Sequence, residues 1–409
     1  MSSKKAHDGD DLIPVSDASK RTRLLRDEQL ARLGTERVSL DHIVGRTVAE
    51  TVVAPVDLPE YSFATMDGFA FDASDSYPFE VVETGVFPED EPPPLDPGTA
   101  TRIATGAPLP PSANAVLKRE EAVVEDGQLT GPDIEQGTYV YERGSNVSAG
   151  TELFAVGDRL GAKDAILLGD LDIEDVRLHE RFSVGLLATG TEIHEGRLAD
   201  LDSPMLAGLI RSWGHEATYE GSVPDTYDRV KNRIADLARD YDVVVTTGGT
   251  SVGDKDYVVR ALADLGEVLF HRVQLRPGKP IAVARLPDYD AVVFAIPGKP
   301  IGAHLVTSLV ARPFFTGESS LPTVTARMAR DVGLAVPGFT YGIPVTLEDG
   351  VAMPLGHADS ALSVYEETFD PSVLSSTTRA STADGVILTE DPVAADEQVA
   401  VVPFSVLER

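Results

Sequence analysis

Residues Asp242 to Val258 read DVVVTTGGTSVGDKDYV, and this stretch decides the fold class. Val243, Val244 and Val245 form a short β-branched run of the kind buried in a parallel sheet. Thr246 and Thr247 follow, and Gly248 and Gly249 let the backbone turn with N–H groups toward a ligand. A glycine loop at the carboxyl end of a strand is where open α/β sheets bind phosphates. Asp254 and Asp256 stand at the exit, able to hold a hydrated cation or orient a reacting group. A bare GG is also what a tight strand-to-helix turn with solvated acids looks like, so the rest of the chain must arbitrate.

Outward from this loop the alternation of strands and helices continues. SVGLLATG (183–190) reads as a strand, Leu206, Leu209 and Ile210 mark a helix, EATYEGSV (216–223) is a strand, and Val230, Ile234 and Leu237 mark the next helix. A helix near 256–264, the strand AVVFAIPG (291–298) and a helix carrying Ile301, Leu305 and Leu309 complete the set. Such alternation predicts a doubly wound, largely parallel sheet. Four of its strand exits carry polar groups that would converge on one crevice: Thr189–Glu192, Pro224–Asp225, the TTGG loop with Asp256, and Pro297–Pro300. A lone glutamate after a strand is more often a first-turn helix acid, but four exits with matching chemistry argue for a site. QLRPGKPIAVA (274–284) adds Arg276 and Lys279 on a glycine turn, a pair suited to a small oxyanion or a phosphate.

The flanking regions read differently. Ser16 to Leu33 is predicted helical, with Leu24, Leu25, Leu30 and Leu33 as its apolar set, and residues 39–53 read as a second helix entering a strand. Short alternating runs broken by PEDEPPPLDPG and EDGQLTGPD predict a β-rich domain over 59–146. Residues 147–180 carry a strand and a helix and rejoin 12–58 as one discontinuous domain, whose first helix can pack on the α/β domain. That domain spans 181–317, a small C-terminal β domain spans 318–409, and residues 1–11 are expected to be a disordered tail.

Composition bounds the function. A chain of 409 residues needs about three or four domains. Its net charge of -31 argues against nucleic acid and anionic membrane surfaces as partners. The spread of acids, with arginine outnumbering lysine, suggests a salt-rich, haloarchaeal-like source. With no cysteine, disulfides, thiolate metal sites and cysteine nucleophiles are all excluded. No apolar run reaches the length of a membrane span, and a cytoplasmic location is expected.

The motifs, in order, resemble the MoeA-type molybdopterin molybdenumtransferases, the family that includes the E domain of gephyrin. They are ATMDGFA (64–70), RIATGAPLP (102–110), NVSAGTELFAVGDRLG (146–161), ATGTEI (188–193), TTGGTSVGDKDYV (246–258), RPGKPIAVA (276–284) and IPGKP (296–300). The resemblance covers about residues 12–317 well and the remainder weakly. It implies insertion of molybdate, or tungstate, into adenylylated molybdopterin with release of AMP and a need for Mg2+. It also implies an elongated four-domain homodimer with a central MoaB/Mog-like α/β domain, flanking β-rich domains and a C-terminal small β-barrel. The cleft would lie between the α/β domain of one subunit and the β domains of the other.

On this sequence the implied catalytic residues are Asp67, Thr105, Glu192, Asp225 and Asp256, with Glu192, Asp225 and Asp256 as metal ligands. The implied cofactor-binding residues are Thr247, Gly248, Gly249, Ser251, Gly253, Arg276, Lys279, Pro297, Gly298, Lys299, Pro300 and Ser372. Three departures stand out. Asn146 occupies a position usually acidic, Lys299 and Gly302 replace the asparagine and serine of the usual PGNP motif region, and no Arg or Lys occurs between Arg330 and Arg379. We expect Lys299 to supply the positive charge that the C-terminal domain normally lends. Two other functions remain open at this stage: a non-catalytic molybdopterin-binding or cofactor-handover paralogue, and a molybdopterin adenylyltransferase. The latter family's loop continues differently after TTGGT and lacks the flanking β domains.

Overall fold

The structure is a computed structural model that describes residues 12–250 and 257–409. Its centre is a six-stranded sheet in the order Glu216–Val223, Ser183–Thr189, Val243–Thr247, Ala291–Ile296, Ala282–Leu286, Glu267–His271. The first four strands are parallel, in registers such as Val184 opposite Val243 and Val243 opposite Val292. Val243, Val244 and Val245 are buried on both faces of the sheet, which is why the run does not alternate with polar residues. From Ser183–Thr189 the chain crosses first to one side and then to the other, so the strand order reverses between Thr189 and Thr247. Such a switch point opens a crevice at the carboxyl ends of the strands.

Two features of this domain differ from the sequence expectation. Ala282–Leu286 and Glu267–His271 form an antiparallel ribbon along the sheet edge, two strands that the expected, largely parallel alternation did not include. They are joined by the loop holding Arg276 and Lys279, so that loop spans two sheet strands. The helix after IPGKP also divides into Pro300–Val306, a π-helical stretch Thr307–Ala311, and Arg312–Thr316. Pro313 removes a helix donor in that segment.

The first helix runs Val15–Leu30 and packs on the α/β domain, with Leu25 and Leu30 buried and the Thr22 hydroxyl donating to the Val310 carbonyl at 2.7 Å. Leu24 is 58% exposed and does not belong to the apolar face. Residues 39–53 hold no α-helix. Thr35–Ser39 is a strand paired with Asp175–His179, a single 3-10 turn covers Leu40–His42, and Gly45 adopts φ +76° to swing the chain onto residues 158–160. Backbone pairing with residues far along the chain overrides the local helical pattern there.

Two further antiparallel contacts, Val52–Val53 with Glu152–Phe154 and Leu58 with Val147, bring the outgoing and returning chain side by side. Between them lies a second six-stranded sheet in the order Ala115–Lys118, Gly68–Phe71, Thr99–Ile103, Phe79–Val86, Gln128–Thr130, Val123–Glu125. Gly68 allows the close pairing at its start, because a Cβ there would sit 1.9 Å from the Leu117 carbonyl oxygen. Toward the C-terminus, Val324–Met328, Thr340–Glu348, Val351–Pro354, Gly385–Thr389 and Gln398–Pro403 close into a five-stranded barrel. The barrel leans on the α/β domain through the pairing of Leu275–Arg276 with Thr340–Tyr341. The Trp213 indole also donates to the Leu407 carbonyl at 3.1 Å.

Candidate active site

The switch point opens into a cleft of about 900 Å3 between the α/β domain and the C-terminal barrel. Glu192, Asp225, Thr247, Gly248, Gly249, Arg276, Lys279, Pro297, Gly298, Lys299, Pro300 and Ser372 all line it. Each strand exit therefore delivers its polar group to the same space, as the sheet topology requires.

The glycine loop forms the floor. Gly248 and Gly249 take φ +84° and +65°, and a Cβ on either would meet a neighbour at 2.7 Å, the Thr189 carbonyl oxygen or the Val258 side chain. Across the switch the Thr189 hydroxyl donates to the Thr247 carbonyl at 3.0 Å, tying the two exits together. The expectation that the glycine N–H groups all face the ligand needs one correction. The Gly248 N–H is engaged by the Ile296 carbonyl at 3.0 Å, which pins the TTGG turn to the adjacent strand. Asp225 is oriented reciprocally with Thr191: the Thr191 N–H donates to its Oδ2 at 3.3 Å, and the Asp225 N–H donates to the Thr191 hydroxyl at 3.1 Å.

The cationic side is built differently. The Arg276 guanidinium lies 4.4 Å and the Lys279 ammonium 5.8 Å from the ring centroid of Phe339, which is buried at the barrel edge. A cation over an aromatic face keeps its charge while gaining an electrostatic partner, so both stay available to an anion. Lys299 donates to the Ser372 carbonyl at 3.2 Å, bridging the α/β domain to the barrel. Ser372 sits in a short turn organised by Asp370, whose carboxylate accepts from the Ser372 hydroxyl and from the Ser372 and Val373 N–H groups. Those bonds, with Lys299 nearby, hold Asp370 below its usual range.

Asp67 and Thr105 are not among the residues lining this cleft. They lie on the β lobe, where the Thr105 N–H and hydroxyl donate to Asp67 Oδ1 at 2.8 and 2.7 Å and hold that carboxyl below its usual range. Asn146 is also on that part of the chain, its N–H bonded to the Leu58 carbonyl. Ser251, Gly253, Asp254 and Asp256 lie outside the described residues. The sequence reading missed Asp202, which opens the helix Asp202–Ser212, lines the cleft, and is 6% exposed. Burial first, then the neighbouring Asp200 charge, push its pKa up to about 6. In sequence it is one more first-turn acid, and only its burial separates it from a solvated one.

This fold and cleft define a class: a multidomain protein that presents a small-molecule site at the switch point of a doubly wound domain. Residues 13–171 match the family described as MoeA N-terminal region (domain I and II), and residues 185–317 match a probable molybdopterin binding domain. A molybdopterin molybdenumtransferase of Synechococcus elongatus is 29% identical over 305 residues, covering 69% of this chain and 75% of that protein. One from Nostoc sp. is 32% identical over 293 residues, covering 67% and 66%. The crystal structure of a molybdopterin biosynthesis MoeA protein from Pyrococcus horikoshii superposes with TM-score 0.70 at 26% identity, covering 96% of this chain and 99% of that one. The chain belongs to the MoeA family of molybdopterin molybdenumtransferases.

Proposed function

We propose that this protein transfers molybdate, or tungstate, into adenylylated molybdopterin and releases AMP. The observation that carries this reading is the meeting, in one cleft, of carboxylates suited to a divalent cation with cations suited to a tetrahedral oxyanion. Arg276 and Lys279, fixed over Phe339, hold the oxyanion, with Lys299 adding charge in the same cleft. Thr247 and the glycine turns of residues 248–249 and 298 form the floor of the cleft on which the substrate rests.

Glu192 and Asp225 offer the hard oxygen donors that Mg2+ prefers, and that ion needs only one or two carboxylates beside substrate phosphates. They fit the role, with Asp256 as the third ligand expected from the sequence. Among the described residues, no group of three or more His, Asp or Glu side chains is placed to hold a metal ion by itself. Bound there, Mg2+ would draw charge from the phosphoanhydride oxygens as the P–O bond breaks. Asp225, held by Thr191, keeps its carboxylate turned to the crevice for that purpose.

The active unit is a homodimer in which the β lobe of the second copy lends Asp67 and Thr105 to this cleft, in the cytoplasm. One observation supports the shared cleft: the lobe's hydrogen-bonded Asp67–Thr105 pair stands apart from the residues that line it. Incubation of purified protein with adenylylated molybdopterin, Mg2+ and molybdate tests the proposal. AMP release coupled to metal incorporation supports it; stoichiometric binding without turnover supports a handover paralogue instead, and ATP consumption an adenylyltransferase.

A further inference from the structure

Among the described residues, Asp202 is the one strongly buried acid on the wall of the cleft that the proposed chemistry leaves unused. Its Oδ1 is buried and makes no well-formed hydrogen bond among the described residues, although the Thr247 hydroxyl lies close enough to act on the carboxyl. Its Oδ2 lies beside the Gly298 turn, where a Cβ would come within 3.9 Å of it. Asp200, two residues earlier, also lines the cleft and is fixed by accepting from the Ser203 N–H at 3.0 Å. A buried acceptor left unpaired is costly, and its cost is relieved when a ligand brings a donor.

The charge of that donor group follows from the surroundings. An oxyanion or phosphate set against Asp202 and Asp200 would meet like charge, so the anionic parts of a ligand belong at Arg276, Lys279 and Lys299 instead. What an acid in this place complements is an N–H edge. Adenine presents a 6-amino group beside a ring nitrogen, and a pterin presents a 2-amino group beside a ring N–H; both are amidine-like edges a carboxyl group can bind with two hydrogen bonds. The raised pKa agrees, since a carboxyl that can hold or lose its proton near neutrality serves either arrangement.

We propose that Asp202 recognises the amino-substituted edge of the fused nitrogen heterocycle in the substrate, and so discriminates amino from oxo rings. The inference rests on the cleft being the site for an adenylylated pterin, and it names the group that reads the ring. Asp202 here is a specificity residue, distinct from the groups that hold metal and oxyanion.

Paired ligands test it. Binding of AMP against inosine monophosphate, and of pterin against its 2-oxo counterpart lumazine, is measured on the wild-type chain, Asp202→Asn and Asp202→Ser. In at least one pair the wild type should favour the amino member by about tenfold or more. Asp202→Asn should erase or invert a pterin preference, because an amide can turn its N–H toward an oxo group, but should keep an adenine preference, because the same amide complements the 6-amino and ring-nitrogen edge; Asp202→Ser should abolish either. The pair that responds identifies the ring, adenine or pterin. A merely structural role would weaken both members of a pair equally, and that result overturns the proposal, as does an unchanged preference in both variants or no preference in the wild type. AMP release with molybdate is followed in parallel. A wild type that discriminates rings through Asp202 but releases no AMP refutes the transferase reading and leaves this one standing.

Discussion

The cleft of the α/β domain and the Asp67–Thr105 corner of the β lobe carry equally clear motifs, yet they differ in how completely one chain assembles them. At the cleft, four strand exits converge because parallel strands of one sheet end on the same side. At the lobe, Asp67 and Thr105 satisfy each other on adjoining turns and meet none of the other described candidate residues. Sheet topology can unite groups from distant parts of a chain only within one sheet. A motif on an inserted lobe needs a second surface, and in the proposed function that surface belongs to a second copy.

Complementation between two inactive variants tests whether the lobe and the cleft work across subunits. Asp67→Asn and Glu192→Gln should each lower turnover by about 100-fold or more. Mixed and allowed to exchange subunits, they should recover roughly a quarter of wild-type activity, since half the dimers are mixed and each of those keeps one intact cleft. No recovery would mean that each cleft is completed within its own chain. Next in size, Arg276→Ala should weaken molybdate binding by about 10- to 100-fold, measured by calorimetry, because it removes a charged, aromatic-backed donor from the cleft. Arg276→Lys should restore only part of it.

A stability measurement separates the buried acid of the cleft from the exposed acid of the lobe. Asp202 has its pKa raised from 3.8 to about 6, so the folded state holds its proton where the unfolded chain has released it. That contribution is fully present below about pH 4 and is lost as pH rises toward about 6. Asp202→Asn should therefore stabilise the unliganded protein by about 1–3 kcal/mol at pH 8 and leave it unchanged below pH 4, by denaturant titration at the two pH values. Asp67 is lowered instead, by its bonds from Thr105, so Asp67→Asn should bring no such gain at pH 8. The smallest effect is expected at Lys299, which is exposed and bridges to the Ser372 carbonyl: Lys299→Asn should weaken molybdate binding by about 3- to 10-fold. Unchanged affinity would remove its role in the anion site.

How much was legible varies with the kind of signal. The Val243–Val245 strand, the glycine loop and the Pro297–Pro300 turn were readable because burial on both faces and positive φ leave marks in residue type. The antiparallel ribbon was not, since AVARL and EVLFH would suit a strand of either direction. Residues 39–53 misled because their leucine and valine spacing is helical while their backbone partners lie near residues 158–160 and 175–179. Asp202 escaped because an acid in a helix first turn is ordinary and burial is not written in its neighbours.

The sequence alone determined the α/β class, the family and the chemical kinds present at each strand exit, because these follow from periodicity and from residue types with few alternatives. Only the tertiary structure decided that the Gly248 N–H is already bonded, that Arg276 and Lys279 rest on Phe339, and that Asp202 is buried in the wall of the cleft. It also set the Asp67–Thr105 pair apart from that cleft. Each of these depends on which distant segment packs against a residue, and local sequence carries no record of that.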